Sequence, residues 1–264
     1  MTSYLRINNQ NIQELDPSKF MLAEKSLDVF TTFVTHKLDN KLGVLRLDLH
    51  LERIIKGAEL LNIKFALENI DLLKSCLKKF LDRNSREKIR VIQRASGDLE
   101  LQIEPYLAPW EKGAIIALKS HRSERALPEI KHTDLSICSL ARKLAEQSGA
   151  QEGLLVSNTT QVLEGAWSNI FWVDKDNQLH STKQNVLPGI TRQIISELNH
   201  TNFSSISLEE LKNSHEVFIT QSTTGVTAIN QIDASEIKTG SISKMISDKL
   251  DSYTFKNLTA IEDL

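Results

Sequence analysis

The sequence predicts an α+β or mixed α/β chain in two domains, and three observations carry that prediction. Its 264 residues suit either one large domain or two medium ones. Short β-branched and aromatic runs interleave with stretches of helical periodicity, yet many of the strands are joined by tight turns. That pattern favours mixed sheets over a doubly wound parallel sheet. The stretch EPYLAPWEKG (104–113), with two prolines, a tryptophan and a glycine, reads as a break between domains. The expected division is a smaller N-terminal α/β domain over 1–106, a linker over 107–113 and a larger C-terminal domain over 114–264.

In the first part, VFTTFVTHKL (29–38) reads as a strand, and Asp39-Asn40 as the turn that follows it. DLHLERIIKGAELL (48–61) places Leu51, Ile54, Ile55, Ala58 and Leu61 on a helical period. A second helix covers about 67–82, with Leu73, Cys76, Leu77 and Phe80 on its apolar side. KIRVIQR (88–94) and LELQIEP (99–105) form two strands around Ser96-Gly97-Asp98. The second part opens with the strand AIIALKS (114–120), then a polar stretch leading to Lys131. Thr133 or Asp134 can cap the next helix and Gly149 can end it. GLLVSN (153–158) and QVLEG (161–165) read as strands, and SNIFWVDKDNQLHS (168–181) as a hairpin. LPGITRQIISEL (187–198) is a loop opening into a helix. EVFITQSTTGVTAINQID (216–233) is strand, polar turn, strand, and an amphipathic helix covers about 241–253.

Composition narrows the function classes. The 32 Lys+Arg against 34 Asp+Glu leave no basic excess for nucleic acid. The two cysteines, Cys76 and Cys138, lack any paired spacing and read as free thiols of a reducing compartment. The seven histidines have no metal-ligand spacing, so no metal is expected. No apolar run reaches the roughly 20 residues of a membrane span, and the N-terminus lacks a signal-peptide core. A cytoplasmic protein without nucleic-acid or membrane partners is the expectation.

Four segments can carry chemistry. Lys131, in PEIKHTDLS (128–136), sits where a strand-like approach meets a helix. Desolvation or a nearby cation would make it a nucleophile; taken alone, it reads first as a solvated surface charge. In VLEGAWSNIFWV (162–173), Glu164 is followed by small residues that let a flat ligand approach the backbone; a plain β-turn is the other reading. In PGITRQ (188–193), the N–H groups of Ile190 and Thr191 and the Thr191 hydroxyl open a helix in the manner of a phosphate cradle. In TQSTTGVTAI (220–229), hydroxyls of Ser222, Thr223 and Thr224 meet at a strand end.

Together and in this order, HLERI, IKHTD, LEGAWSNIF, PGITR and TQSTTGV resemble the fold type IV family of pyridoxal-phosphate enzymes. That family contains D-amino acid aminotransferases, branched-chain aminotransferases and aminodeoxychorismate lyases. The resemblance runs from about Val29 to about Asp233. It implies the two-domain D-amino acid aminotransferase-like architecture, pyridoxal 5'-phosphate as cofactor, a small amino substrate and a homodimer to which Trp110 and Trp167 could contribute. It implies that Lys131 is the Schiff-base lysine, and that Arg53 binds the cofactor phosphate. Glu164 pairs with the pyridine nitrogen, and Asn169 orders the turn under the ring. Ile190, Thr191, Ser222 and Thr223 supply further phosphate contacts. Chemically, a carboxylate at Glu164 keeps the pyridine nitrogen protonated, so the ring acts as an electron sink. Lys131, once displaced by a substrate amine, becomes a base for the Cα proton.

Within the family, VFTTFV, EIKHTD, SNIFWV and GITRQ look closer to lyase forms. The expected reaction is therefore release of pyruvate and 4-aminobenzoate from 4-amino-4-deoxychorismate. The alternative is amino transfer to a 2-oxo acid by an enzyme of the D-amino acid or branched-chain type; a further one is a non-catalytic pyridoxal-phosphate protein. The chain departs from the family where a YQFGDG-like segment normally places a hydroxyl beside the lysine. Here LAEKSLDVF (22–30) puts Ala23 near that position and has no glycine. Thr31, Thr32 or Thr133 could supply the missing hydroxyl. Arg94, in QRASGD, matches a position where an arginine often meets a substrate carboxylate; a strand-end charge is its other reading.

Overall fold

The structure, a computed structural model, describes residues 2–8, 11–16, 27–38, 41–82 and 84–264. Both Ala23 and the Asp39-Asn40 turn lie outside them. The chain divides into two compact units. The first is Met1–Leu107 with Ile130–Thr133 and Tyr253–Leu264; the second is Ala108–Glu129 with Asp134–Ser252. The break between Leu107 and Ala108 falls in the Pro-rich stretch. The division into 1–106 and 114–264 nevertheless differs from the structure, because the first unit recruits two later pieces of chain.

The first unit contains β1 (Ser3–Asn8), β2 (Asn11–Glu14), β3 (Val29–Leu38), β4 (Lys41–Leu45), α1 (Leu47–Leu60), α2 (Glu68–Phe80), β5 (Glu87–Gln93) and β6 (Leu99–Pro105). A C-terminal strand, Leu258–Ala260, joins them. These strands form a seven-stranded sheet in the order C-terminal strand, β4, β3, β5, β6, β1, β2. Alternation puts Val29 and Phe33 of β3 and Ile89 and Val91 of β5 on one face. That face packs on Ile54 and Ala58 of α1 and Leu73, Cys76 and Leu77 of α2. The opposite face carries Phe30 and Arg90, close to one another because Phe30 pairs with Ile92 and Thr32 with Arg90.

Two backbone attachments explain the recruited pieces. The segment 131–133 pairs antiparallel with the start of β3, Val29 opposite His132. The C-terminal strand pairs with β4, Leu258 to Leu45 and Ala260 to Gly43. An isolated bridge and a three-residue strand are too short to announce themselves as periodicity.

The second unit contains β7 (Ile115–Arg122), α3 (Ser136–Gln147), β8 (Glu152–Val156), β9 (Val162–Gly165), β10 (Asn169–Val173), β11 (Leu179–Thr182), α4 (Ile190–Leu198), β12 (Thr201–Ser204), α5 (Leu208–Lys212), β13 (Glu216–Gln221), β14 (Gly225–Ile232), β15 (Ser235–Glu236) and α6 (Ser241–Lys256). Its sheet runs β12, β11, β10, β13, β14, β7, β8, β9, with β15 on β14. The pairs β7/β8, β7/β14 and β11/β12 are parallel, and the rest are antiparallel. The sheet is therefore mixed, as expected from hairpins interleaved with helices. Strands β8, β9 and β10 are buried along their whole length, which suits their continuous apolar runs. Trp110 packs on the core of this unit and donates from Nε1 to Thr227 Oγ1 at 3.0 Å. Trp167 packs on Leu163, Ala166 and their neighbours. Both tryptophans are thus used inside the unit. Among the described residues, no helix is long and apolar enough to cross a membrane.

Candidate active site

In the first unit the candidate residues gather around the start of β3. Lys131 is fixed through its backbone: Phe30 N donates to Lys131 O at 2.8 Å, and Thr133 N donates to Asp28 O at 2.9 Å. Its Nζ lies 4.8 Å from the centre of the Phe30 ring. Thr133 Oγ1 accepts from Asp28 N at 3.1 Å. Its hydroxyl is used in the clamp that holds the lysine segment, not presented as a substitute active-site hydroxyl. Asp134 Oδ1 accepts from Ser136 N at 3.1 Å just ahead of α3, whose N-cap position is Leu135 and carries no side-chain cap.

Arg53 projects from α1 beneath β3. Its Nη2 donates to Thr31 Oγ1 at 2.6 Å. Thr31 Oγ1 is also 2.8 Å from Nδ1 of the buried His50. Because Thr31 accepts from the guanidinium, its own proton goes to His50 Nδ1, and the histidine carries its proton on Nε2. Burial holds His50 well below the ordinary histidine range, and the charges of Arg53 and Lys131 add to the effect. Thr31 is fully buried and committed at both sides, so it supports the arginine rather than touching substrate. Burial lowers Arg53 to about 10, and among the described residues its Nε is buried without a hydrogen-bond partner. A desolvated guanidinium with an unused donor is a site built for an anion.

Arg94 is placed differently from the expectation. It is 6% exposed. Its Nε and Nη2 donate to Glu100 Oε2 at 2.8 and 2.5 Å, and Nη1 donates to Asp28 Oδ2 at 2.8 Å. Two carboxylates engage the guanidinium, which makes it part of the frame. Sequence reasoning overlooked Arg90. This half-buried residue has its guanidinium carbon 5.5 Å from the Phe30 ring centre, the ring that Lys131 also approaches. Among the described residues its Nε is buried without a hydrogen-bond partner, and burial lowers its pKa. Its position on the same strand face as Phe30 was the available signal.

In the second unit, Glu164 closes β9 and is almost fully buried. Its Oε1 accepts from Arg125 Nη1 at 2.8 Å. Oε2 accepts from Leu187 N at 2.9 Å and from Asn169 Nδ2 at 3.4 Å. Asn169 Nδ2 also donates to Leu187 O at 2.8 Å. Asn169 thus ties the end of β9 to the loop that leads into α4. Gly189 N-caps that helix, and a Cβ there would stand 1.9 Å from Asn169 Oδ1. Glycine is required by this close approach, since its φ of −69° is ordinary. Ile190 and Thr191 are buried in the first turn of α4, where backbone N–H groups have no intrahelical acceptor. Between β13 and β14, Ser222 and Thr223 occupy the turn, and Thr223 Oγ1 donates to Gln221 Oε1 at 3.3 Å. Gly225 ends that turn at φ +72°, a conformation that other residues rarely adopt. Among the described residues, Thr220 and Thr224 carry buried hydroxyl oxygens without hydrogen-bond partners, a pair that suits an oxyanion.

Each unit taken by itself carries groups that suit a phosphorylated, flat cofactor with a ring nitrogen: in the first, the desolvated Arg53 and the Lys131 amine; in the second, the buried Glu164 carboxylate held by Arg125 and Asn169, and the buried hydroxyls of Thr220 and Thr224. The fold and these residues define a pyridoxal-phosphate enzyme of fold type IV. The family described as amino-transferase class IV matches residues 28–232, and the chain belongs to that family. It is 28% identical over 219 residues to a D-alanine aminotransferase of Bacillus licheniformis, covering 74% of this chain and 76% of the relative. A D-alanine aminotransferase of Listeria monocytogenes is 31% identical over 138 residues, half of this chain and 47% of the relative. Among solved structures, the branched-chain aminotransferase of Thermoproteus uzoniensis superposes with a TM-score of 0.86 at 18% identity, covering 98% of this chain and 99% of the other. The holo form of the branched-chain aminotransferase of Thermobaculum terrenum superposes at 0.84 with 17% identity, covering 98% of each. At these identities the structural likeness concerns the fold. Pyridoxal 5'-phosphate is the cofactor of this enzyme class.

Proposed function

We propose that this enzyme is an aminotransferase that takes the amino group of a small amino acid of the D-alanine type and passes it to a 2-oxo acid. The observation that carries this reading is the likeness to a D-alanine aminotransferase over three quarters of the chain. The lyase reading rests on motif wording alone, and no residue of the site favours it over transfer. When bound, the cofactor supplies the electron sink that makes the substrate Cα–H acidic. Lys131 Nζ would be the amine that holds the cofactor and the base that moves the substrate Cα proton. Arg53 and the Thr220 and Thr224 hydroxyls would hold the phosphate, with the first-turn amides of Ile190 and Thr191 and the turn at Ser222 and Thr223. Glu164, oriented by Arg125 and Asn169, would hold a proton at the pyridine nitrogen. Arg90, beside Lys131 on the Phe30 ring, is the cation offered to the substrate carboxylate. We further propose that the enzyme works as a cytoplasmic homodimer; the two cysteines are buried free thiols.

The test uses purified enzyme loaded with pyridoxal phosphate. Borohydride should fix the cofactor to Lys131, and Lys131→Ala should abolish turnover. D-alanine should release pyruvate only when 2-oxoglutarate is present. Formation of 4-aminobenzoate and pyruvate from aminodeoxychorismate without any oxo acid would replace this reading by the lyase one. Gel filtration at the monomer mass would overturn the dimer.

A further inference from the structure

The Lys131 segment hangs on residues 28–30, so its position is as fixed as theirs. Phe30 N, Asp28 O and Asp28 N make the three backbone links to Lys131 and Thr133. The side chain of Asp28 then faces a second set of partners. Its Oδ1 accepts from Ala95 N at 2.8 Å and its Oδ2 from Arg94 Nη1 at 2.8 Å. Arg94 is gripped from its other side by Glu100, and Glu100 Oε1 accepts from Arg6 Nε at 2.8 Å. Asp28, Arg94 and Glu100 are 1%, 6% and 0% exposed. The run Asp28, Arg94, Glu100, Arg6 alternates in sign and sums to zero. A buried ionic chain is weak evidence for stability, since an apolar core of the same volume would often hold as well. What an apolar replacement could not do is grip the Asp28 carboxylate while the Asp28 backbone grips the lysine segment.

We infer that Arg94 is a positioning residue for Lys131, acting through Asp28 and braced by Glu100, and is not a substrate-binding group. The inference rests on the reading of Lys131 as the Schiff-base lysine. Its effect follows from orientation: a reacting amine displaced by a fraction of an ångström loses the alignment on which its rate depends.

Three variants test it: Arg94→Met, which keeps bulk and removes charge; Asp28→Asn; and Arg94→Lys as the conservative rescue. Amide exchange is followed first, on protein without cofactor. In Arg94→Met and Asp28→Asn, the Thr133 amide should exchange about ten-fold faster relative to the amides of α2, because a local tether is loosened. Both should form the visible band of the cofactor–lysine bond about ten-fold more slowly. Both should lose kcat by about ten-fold, with the KM for the amino acid within about two-fold of wild type. Arg94→Lys should recover part of each. A ten-fold rise in KM with unchanged kcat, exchange and band formation would make Arg94 a substrate group and overturn the inference. Unchanged exchange at Thr133 would overturn it as well. If Arg94→Met does not fold, Asp28→Asn carries the same outcomes. Failure of borohydride to fix cofactor on Lys131 in the wild type would instead remove the underlying reading, which the exchange measurement does not depend on.

Discussion

At the scale of single residues, the buried hydroxyl of Thr31 is the most exacting element of the anion site. It accepts from Arg53 and donates to His50, so one oxygen satisfies two otherwise unpaired groups. Thr31→Val keeps the shape and strands both. An unsatisfied buried polar group costs about 1–3 kcal/mol, so the cofactor Kd should rise by roughly ten-fold or more. Thr31→Ser should stay near wild type; titration of cofactor into the apoenzyme reads both. At this scale the motifs single out the side chains proposed for the chemistry: Lys131, Arg53, Glu164 and Asn169. They did not expose which atom each side chain spends on its neighbours. Thr31, Thr133 and Arg94 were all candidates for substrate contact, and all three turn inward, because hydrogen-bond partners 19, 105 and 66 positions away are invisible to local pattern. Arg90 is legible only once β3 is paired with β5, which puts it on the face of Phe30; KIRVIQR by itself does not distinguish an arginine facing a phenylalanine from one facing water.

At the scale of elements, the turn between β9 and β10 carries Glu164 at one end and Asn169 at the other, and a buried carboxylate underneath holds it. Glu152 of β8 accepts from Trp167 N at 3.0 Å. Burial raises its pKa to about 7, against the lowering pull of the Trp167, Ala166 and Gly153 amides and of Arg142 on α3. The raised value means that the folded state binds a proton that the unfolded chain has already lost. This contribution is fully present below about pH 4.5 and falls away as the pH rises toward about 7. Over that window it amounts to an order of 3 kcal/mol. Glu152→Gln keeps an acceptor for Trp167 and removes the titration. Its urea-unfolding stability between pH 5 and about 8 should be flatter than that of wild type, and it should be the more stable of the two at the upper end. A parallel pair of pH curves would rule out Glu152 as the titrating group. The flanking strands were legible from VLEG and NIFWV because each is short, apolar and bounded by small residues. The carboxylate beneath them was not, since QEGLLV reads as the ordinary polar entry to a strand. Strands β1, β2 and β12 and helix α5 were likewise passed over, being short and half-exposed.

At the scale of the whole molecule, the first unit is assembled from three stretches of chain, the last of them Tyr253–Leu264. The C-terminal strand lies along β4, and Gly43 allows it to come close: a Cβ there would meet Thr259 O at 2.9 Å. Beyond the strand, Ile261 is 1% exposed within the same core as Val44 and Leu77. Sequence periodicity could not reveal this, because a strand of three residues gains its stability from its partner rather than from its own pattern. The arrangement couples residues 258–260 to the sheet that also carries Phe30 and the Lys131 attachment, the neighbours in the sheet being the C-terminal strand, β4 and β3. Ile261→Ala should cost about 2–5 kcal/mol by opening a cavity in that core. Deletion of residues 257–264 should cost more, because it also strips the hydrogen bonds from the β4 edge. Both are measured as a fall in the urea midpoint, at an unchanged m-value for the point variant. If the chain's end were only an appendage, the deletion would leave the midpoint within error and the cofactor band at full height; loss of both together is the result expected of a strand that completes the sheet.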